Sequence, residues 1–389
     1  MSKIVKIFFT VSIISVILYY AAVIPITRIK PELIYGSDDG FANSVFVAGE
    51  DVYLGGGRKN VASLWKNGRE QKLTKGTYEA GVSSVYVDGD DVYAAGYENN
   101  TQEINVAKLW KNGEAQTLSG DSSYAQAMSV FVSGGDVYVA GFEIIPGNSL
   151  IAKLWKNGRA QNLTDGTRHG LASMVFVSGS DVYVTGIEEN AQKIDVAKLW
   201  KNGVAQNLTD GTYRAEVNAI FVSGGDVYVA GSETNAQEKK IAKLWKNGVA
   251  QNLSNGERDA DAFSVFVADN GDVYVAGYQT SILNKYVAAL WKNGKELDNS
   301  NAWWHFLIKL KSNTVDFKSS IARSVFLANG KMYVAGIEND KVELWVDKQG
   351  SKALFSGFYL GEILKYVFLL IAAWIVVEIA MKKRVTREE

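Results

Sequence analysis

The chain has 389 residues, 47% of them hydrophobic, with 41 basic against 42 acidic side chains. That balance argues against a nucleic-acid partner, and the absence of cysteine removes disulfides, thiol catalysis and thiolate metal ligation. The two histidines, His169 and His305, stand in no ligand-like spacing, so no metal or other cofactor is expected.

Residues 1–6 carry Lys3 and Lys6, and an apolar run follows from Ile7 to Ile26, broken by Thr10, Ser12, Ser15 and Pro25. This is about the 20 residues that a bilayer-crossing helix needs. Tyr20-Ala21-Ala22 fits a small-x-small cleavage site poorly. The segment 7–27 is therefore read as an uncleaved signal anchor with a cytoplasmic N-terminus at 1–6; a cleaved signal peptide is the alternative.

From there a motif recurs seven times. Its apolar core carries Phe46, Tyr86, Phe131, Phe176, Phe221, Phe266 and Phe326. A D-V-Y element follows, with Tyr53, Tyr93, Tyr138, Tyr183, Tyr228, Tyr274 and Tyr333. An L-W element closes each copy, with Trp65, Trp110, Trp155, Trp200, Trp245, Trp291 and Trp345. A fixed period of this size marks units that stack on their neighbours to bury their apolar faces. Within one copy, V-F-V (strand a), D-V-Y (b), K-L-W (c) and N-L-T (d) are short β-rich runs separated by Gly, Asn and Asp turns, which predicts four antiparallel strands. Asn-Gly after the tryptophan, at Asn67, Asn112, Asn157, Asn202, Asn247 and Asn293, is a hairpin signal because a type I′ turn needs positive φ at both central residues. V-F-V and V-Y-V are apolar on both faces, as in sheets covered on both sides. The prediction is an all-β, seven-bladed β-propeller of four-stranded blades over residues 28–357.

The order K-L-W, turn, N-L-T-D-G, V-F-V, turn, D-V-Y-V-A-G resembles the strand order of WD-repeat propellers, over about residues 31–356. No Gly-His pair precedes strand a, and Lys rather than Asp follows each tryptophan, as at Lys156 and Lys201, so the polar network of that family is not carried over. The chain is more closely similar to bacterial proteins built from L-W-K-N-G repeats. That resemblance implies a fold and no activity.

Ring closure pairs the first and last strands of such a repeat. Residues 32–35 and 353–355 both have the pattern of strand d, and either could complete the seventh blade. One turn face pairs Asp51, Asp91, Asp136, Asp181, Asp226 and Asp272 with Lys66, Lys111, Lys156, Lys201, Lys246 and Lys292, a pattern of turn chemistry. The opposite face carries the longer b–c and d–a loops, where binding is expected. At the start of the b–c loop stands a candidate ligand-facing ring of Arg58, Glu98, Glu143, Glu188, Glu233, Gln279 and Glu338; its alternative reading is a solvated strand end copied by duplication. The repeat tryptophans are read as inter-blade packing, with exposed stacking platforms as the alternative. Asn162, Asn207 and Asn252 head formal glycosylation triplets that coincide with the d-strand repeat. An insertion before the last repeat holds Trp303, Trp304, His305 and Phe306, which suit either a membrane-interface or partner contact, or a cover for a blade edge.

The last apolar segment, 358–381, reads as a second membrane helix; Lys382, Lys383 and Arg384 behind it place the tail 382–389 in the cytoplasm. Glu378 lies one turn before Lys382 and can pair with it. The propeller is then outside the membrane, periplasmic or extracellular. With no catalytic motif in view, the sequence predicts a non-enzymatic module that binds or scaffolds a protein or envelope polymer. The competing expectation is a propeller enzyme, a hydrolase or lyase of envelope glycans, which would need two carboxylates in unlike environments.

Overall fold

Each Asn-Gly pair makes the predicted tight turn: Asn202 has φ 51° and Gly203 φ 82°, so strands c and d are joined as a type I′ hairpin. The side chain completes it. Asn202 Oδ1 accepts from the Val182 N–H at 2.8 Å, and Nδ2 donates to Asp181 at 2.8 Å. Lys201 pairs with the same carboxylate at 2.7 Å and lies 5.3 Å from the centre of the Tyr183 ring. This staple of Asp, Lys, Asn and Tyr recurs in the first six repeats, tying strand b to the c–d turn.

The structure, a computed structural model, describes residues 40–347 except 50, 145–148, 283, 298–319, 329–330 and 339–340. All belong to one compact unit, residues 29–350. Six sheets are four-stranded antiparallel meanders in the order a-b-c-d. In the fourth, these strands are Gly170–Ser178, Asp181–Glu189, Asp195–Lys201 and Val204–Asn207. A three-stranded sheet follows, of Ser320–Ala328, Lys331–Glu338 and Lys341–Asp347. The architecture is all-β and propeller-like. Strand d is displaced from the N-L-T expectation: the ladder of the third sheet ends at Asn162, and the Thr164 hydroxyl then accepts the Ala152 N–H at 3.1 Å in place of a backbone carbonyl.

Strand a is bulged in every repeat, between Ala172 and Met174 in the fourth sheet. The bulge drives its backbone against strand b, which explains the glycine closing D-V-Y-V-A-G. A Cβ on Gly186 would lie 1.9 Å from the Leu171 carbonyl oxygen.

Consecutive sheets pack face to face through their apolar residues. Trp110, Trp155, Trp200, Trp245 and Trp291 are fully buried. Trp245, on strand c of the fifth sheet, packs among Tyr183, Leu199 and Leu208 of the fourth repeat. The strand-a aromatics Phe46, Tyr86, Phe131, Phe176, Phe221 and Phe266 form a chain of tilted ring pairs 4.7–5.3 Å apart. Serine hydroxyls add links between sheets: Ser44, Ser84, Ser129 and Ser264 accept the N–H of Val85, Val130, Val175 and Val325 on the next strand a.

There is no helix among the described residues, so none there is long and apolar enough to cross a membrane. The expected spans 7–27 and 358–381, the strand candidates 32–35 and 353–355, and the insertion with Trp303, Trp304, His305 and Phe306 lie outside the described residues.

Candidate functional site on the loop face

The residues of the candidate ring occupy one register at the end of strand b. Glu98, Glu143, Glu188 and Glu233 pair with Val106, Ile151, Val196 and Ile241 at the start of strand c, as Arg58 does with Val61 and Gln279 with Val287. Glu338 pairs there with Lys341. Four of the glutamates meet a lysine two residues along strand c. Lys153–Glu143 and Lys198–Glu188 close at 2.7 and 2.8 Å, Lys243 contacts Glu233, and Lys108–Glu98 is open at 3.9 Å. These pairs are largely buried: the Lys153 and Glu143 side chains are 10% and 17% exposed. Acid and base are lost together in the sixth sheet, where Gln279 has Ala289 at the lysine position. The four glutamates thus present compensated charge, not free charge.

The Asp-Gly-Thr turns carry no cation cage. Asp165 Oδ1 accepts from the Thr167 N–H and hydroxyl, which lowers its pKa, and no metal-holding group of His, Asp and Glu occurs among the described residues. In the N-L-T triplets Asn162 and Asn207 are exposed, but the threonine hydroxyls of Thr164 and Thr209 serve the ladder.

Where the fifth and sixth sheets meet, the repeat is broken by a charged cluster. Its members come from the same end of their strands, the loop face: Glu216 and Asn218 on strand a of the fifth sheet (Ala215–Ser223), Lys240 on its strand c (Lys240–Lys246), and Asp261 on strand a of the sixth (Ala260–Val267). At the same register the other sheets carry Phe41, Gly81, Gln126, Leu171, Glu216 and Ile321, so a carboxylate stands there in the fifth and sixth sheets alone. Its side chain is 2% exposed, against 40% for Glu216. Lys240 Nζ contacts both carboxylates, Glu216 at 2.7 Å and Asp261 at 3.6 Å. Asn218 Nδ2 donates to Asp261 Oδ1 and to the Ala262 carbonyl, both at 3.0 Å.

Burial raises the Asp261 carboxyl to about 6, against the pull of Lys240 and with a further push from Glu216. Burial alone would weaken the Lys240 ammonium; the hydrogen bond to Glu216 and the charge of Asp261 outweigh it, so its pKa ends above the ordinary lysine value. Tyr278, beside Asp261 in the register, is raised by burial and then by the Asp261 charge. An aromatic shelf adjoins the cluster. Phe263 and Tyr278 are 5.6 Å apart, Tyr278 and Tyr286 meet edge-on at 4.8 Å, and Arg323 lies 5.3 Å from the Phe263 ring centre. Tyr286 is 44% exposed and can offer its ring to a ligand.

Sequence reasoning passed over Glu216, Lys240 and Asp261 because it followed what repeats. The signal was in what does not: a carboxylate in a register otherwise held mostly by apolar or neutral residues.

No protein-family model matches the chain, and no curated protein matches it. Solved structures share its fold. A Mycobacterium tuberculosis puromycin-hydrolyzing peptidase is 11% identical, with a TM-score of 0.51 over 83% of this chain and 55% of its own. A puromycin hydrolase is also 11% identical at a TM-score of 0.51, over 80% of this chain and 52% of its own. A GH74 xyloglucanase from Xanthomonas campestris is 13% identical, with a TM-score of 0.51 over 84% and 54%. The chain spans about half the length of each, and at such identities the likeness is one of fold. It nevertheless corrects the expectation of a non-enzymatic binding or scaffolding module, since the similar folds belong to hydrolases. That expectation rested on the lack of a catalytic motif, which is a poor guide here because groups that need unlike environments do not recur with the repeat.

Proposed function

We propose that the chain is a propeller enzyme that cleaves glycosidic bonds in an envelope polymer, with its site at the Glu216–Lys240–Asp261 cluster. The observation that carries this reading is the pair of carboxylates on one ammonium, one reachable and one buried with a raised pKa. Glycoside cleavage uses two carboxyl groups with separated proton affinities. Glu216 meets the substrate. Asp261 behind it holds a proton towards neutral pH, and Lys240 fixes the two relative to each other. The exposed ring of Tyr286, held edge-on against the buried Tyr278, suits the apolar face of a sugar ring. A peptidase reading has less support: His169 Nδ1 accepts the Leu150 N–H at 3.1 Å and is not committed to a hydroxyl nucleophile.

The same proposal places the enzyme at the membrane. The apolar stretches 7–27 and 358–381 serve as membrane helices, the propeller 28–357 lies outside, and the basic tail 382–389 is cytoplasmic. A seventh blade is completed by one of the strand candidates 32–35 or 353–355. Kinship to L-W-K-N-G-repeat proteins belongs to this reading as well, on the repeats alone.

The test is release of reducing ends from peptidoglycan and neutral wall polysaccharides by the full chain. Wild type should cleave at least one polymer, and Glu216→Gln and Asp261→Asn should each lower the rate at least about 100-fold, on the scale of general acid–base contributions. Cleavage at the wild-type rate by both variants, or of no polymer by any form, would sink the assignment.

A further inference from the structure

The second sheet carries a groove of about 650 Å³ on the loop face, lined by Tyr78, Glu98, Asn99, Gln102, Lys108 and Ser122, among others. Its volume is in the range of small-ligand sites, ~300–1,000 Å³, but its walls are polar. Two features set this copy of the repeat apart. Glu98 and Lys108 stand 3.9 Å apart, where the same pair closes to 2.7 and 2.8 Å in the third and fourth sheets. Lys108 donates to Thr117 Oγ1 at 2.9 Å and keeps further N–H donors, and Glu98 keeps acceptors, for the groove. Asn99 Oδ1 is a buried acceptor without a partner. Its counterparts are Ile144, Glu189 and Thr234, so a neutral amide occurs here and not in those three repeats. A buried acceptor left unmade costs about 1–3 kcal/mol, a cost that a donor from a ligand removes.

The rim is held in shape. Asn100 Oδ1 accepts the N–H groups of Gln102 and Ile104 at 2.9 and 3.1 Å, and Nδ2 donates to the Asp121 carbonyl at 2.6 Å. The b–c loop is thus pinned to the following d–a loop before any ligand arrives. The lining sets Glu98 and Asp121 against Lys108, which disfavours an anion and otherwise offers polar donors and acceptors. A ligand that is neutral and dense in hydroxyls satisfies the wall without carrying charge. It donates to Asn99 and Glu98, accepts from Lys108, and sets a face against Tyr78.

We propose that this groove is a binding site for a neutral sugar unit of an oligosaccharide, separate from the Glu216–Asp261 cluster and independent of its catalysis. The probes are cello-, xylo-, malto- and chitotetraose, with a hexuronate tetramer as the charged control, titrated calorimetrically into the full chain. At least one neutral tetramer should bind, and the hexuronate should not. Asn99→Leu and Tyr78→Ala should each raise that Kd at least about tenfold, one hydrogen bond or stacking contact's worth. Glu188→Gln, at the closed pair of the fourth sheet, and Glu216→Gln should leave it within about twofold, which separates this site from the proposed catalytic one. The two groove variants cover each other should one fail to fold. Binding by no neutral tetramer, an unchanged Kd in whichever groove variants fold, or equal loss in Glu188→Gln would overturn the proposal.

Discussion

Replacing Asp261 by Asn should stabilise the protein at pH 8 and leave it unchanged at pH 4. The amide imitates the protonated acid: it has the same shape, it keeps the Asn218 donor on its oxygen, and Ser232 can turn its hydroxyl to accept from the new NH2. Lys240 retains Glu216 at 2.7 Å, and so no ammonium is orphaned. In the folded protein the Asp261 carboxyl titrates near 6, up from 3.8. A raised folded value means that the native state binds the proton more tightly than the unfolded chain does. Wild-type stability is therefore highest below pH 4, falls as pH climbs from about 4 to about 6, and stays low above that. The difference between the two pKa values corresponds to about 3 kcal/mol, which the ionised carboxylate costs at pH 8 and the amide does not. Urea unfolding at the two pH values, followed by tryptophan fluorescence, measures it. The expected result is a gain of ~2–3 kcal/mol for Asp261→Asn at pH 8 and a difference under about 1 kcal/mol at pH 4. A variant less stable than wild type at pH 8 would refute the reasoning, because it would show that the ionised Asp261 is a net stabilising partner of Lys240.

Trp245→Ala should cost about 3–5 kcal/mol, since the indole is fully buried against the preceding sheet. Trp245→Phe should cost distinctly less, because the indole N–H is buried without a partner and its removal relieves part of the lost burial; paired denaturant melts decide. Gly186→Ala should destabilise by ~3 kcal/mol or more, the overpacking of a Cβ into a backbone carbonyl, and a midpoint within error of wild type would mean that the bulge can yield. Lys153→Met alone should cost about 2–4 kcal/mol by stranding the largely buried Glu143 carboxylate, while Lys153→Met with Glu143→Leu should return most of that loss. Equal losses in the single and double variants would show the ion pair to be incidental.

The architecture was legible because each repeat states it again. Asn202-Gly203 names its turn by the positive φ it requires, and V-F-V beside D-V-Y shows two covered faces. Strand d was less so. The N-L-T triplet looks like a strand, but Thr164 uses its hydroxyl to end the ladder, a substitution of side chain for backbone that no propensity reveals. The cluster at Asp261 was illegible for a different reason. Glu216, Lys240 and Asp261 are tens of residues apart, and they meet because two sheets abut and a lysine side chain is long enough to reach both acids. Read along the chain, each is one more charged residue in a loop-rich stretch. Only the register of the sheets shows that Asp261 is a carboxylate where Leu171 and Ile321 stand elsewhere.

The same register also shows what the cluster displaced. Four of the interfaces between strands a carry a serine hydroxyl that accepts an N–H of the next sheet. The residues at that place in the fourth and fifth sheets are Met174 and Ala219, which have no hydroxyl to offer. Between the fifth and sixth sheets the link is made instead by Asn218, donating to Asp261 and to the Ala262 carbonyl. A neutral, self-sufficient contact has given way to one that requires a buried acid and a lysine to hold it. Packing alone offers no reason for the exchange, because the repeat already supplied a working alternative that keeps no charge out of water. Departures of this kind, where a buried charge takes the place of a neutral link, are the ones that mark function. If Asp261 served only to join two sheets, the serine at Ser264 shows how the fold does that without a charge.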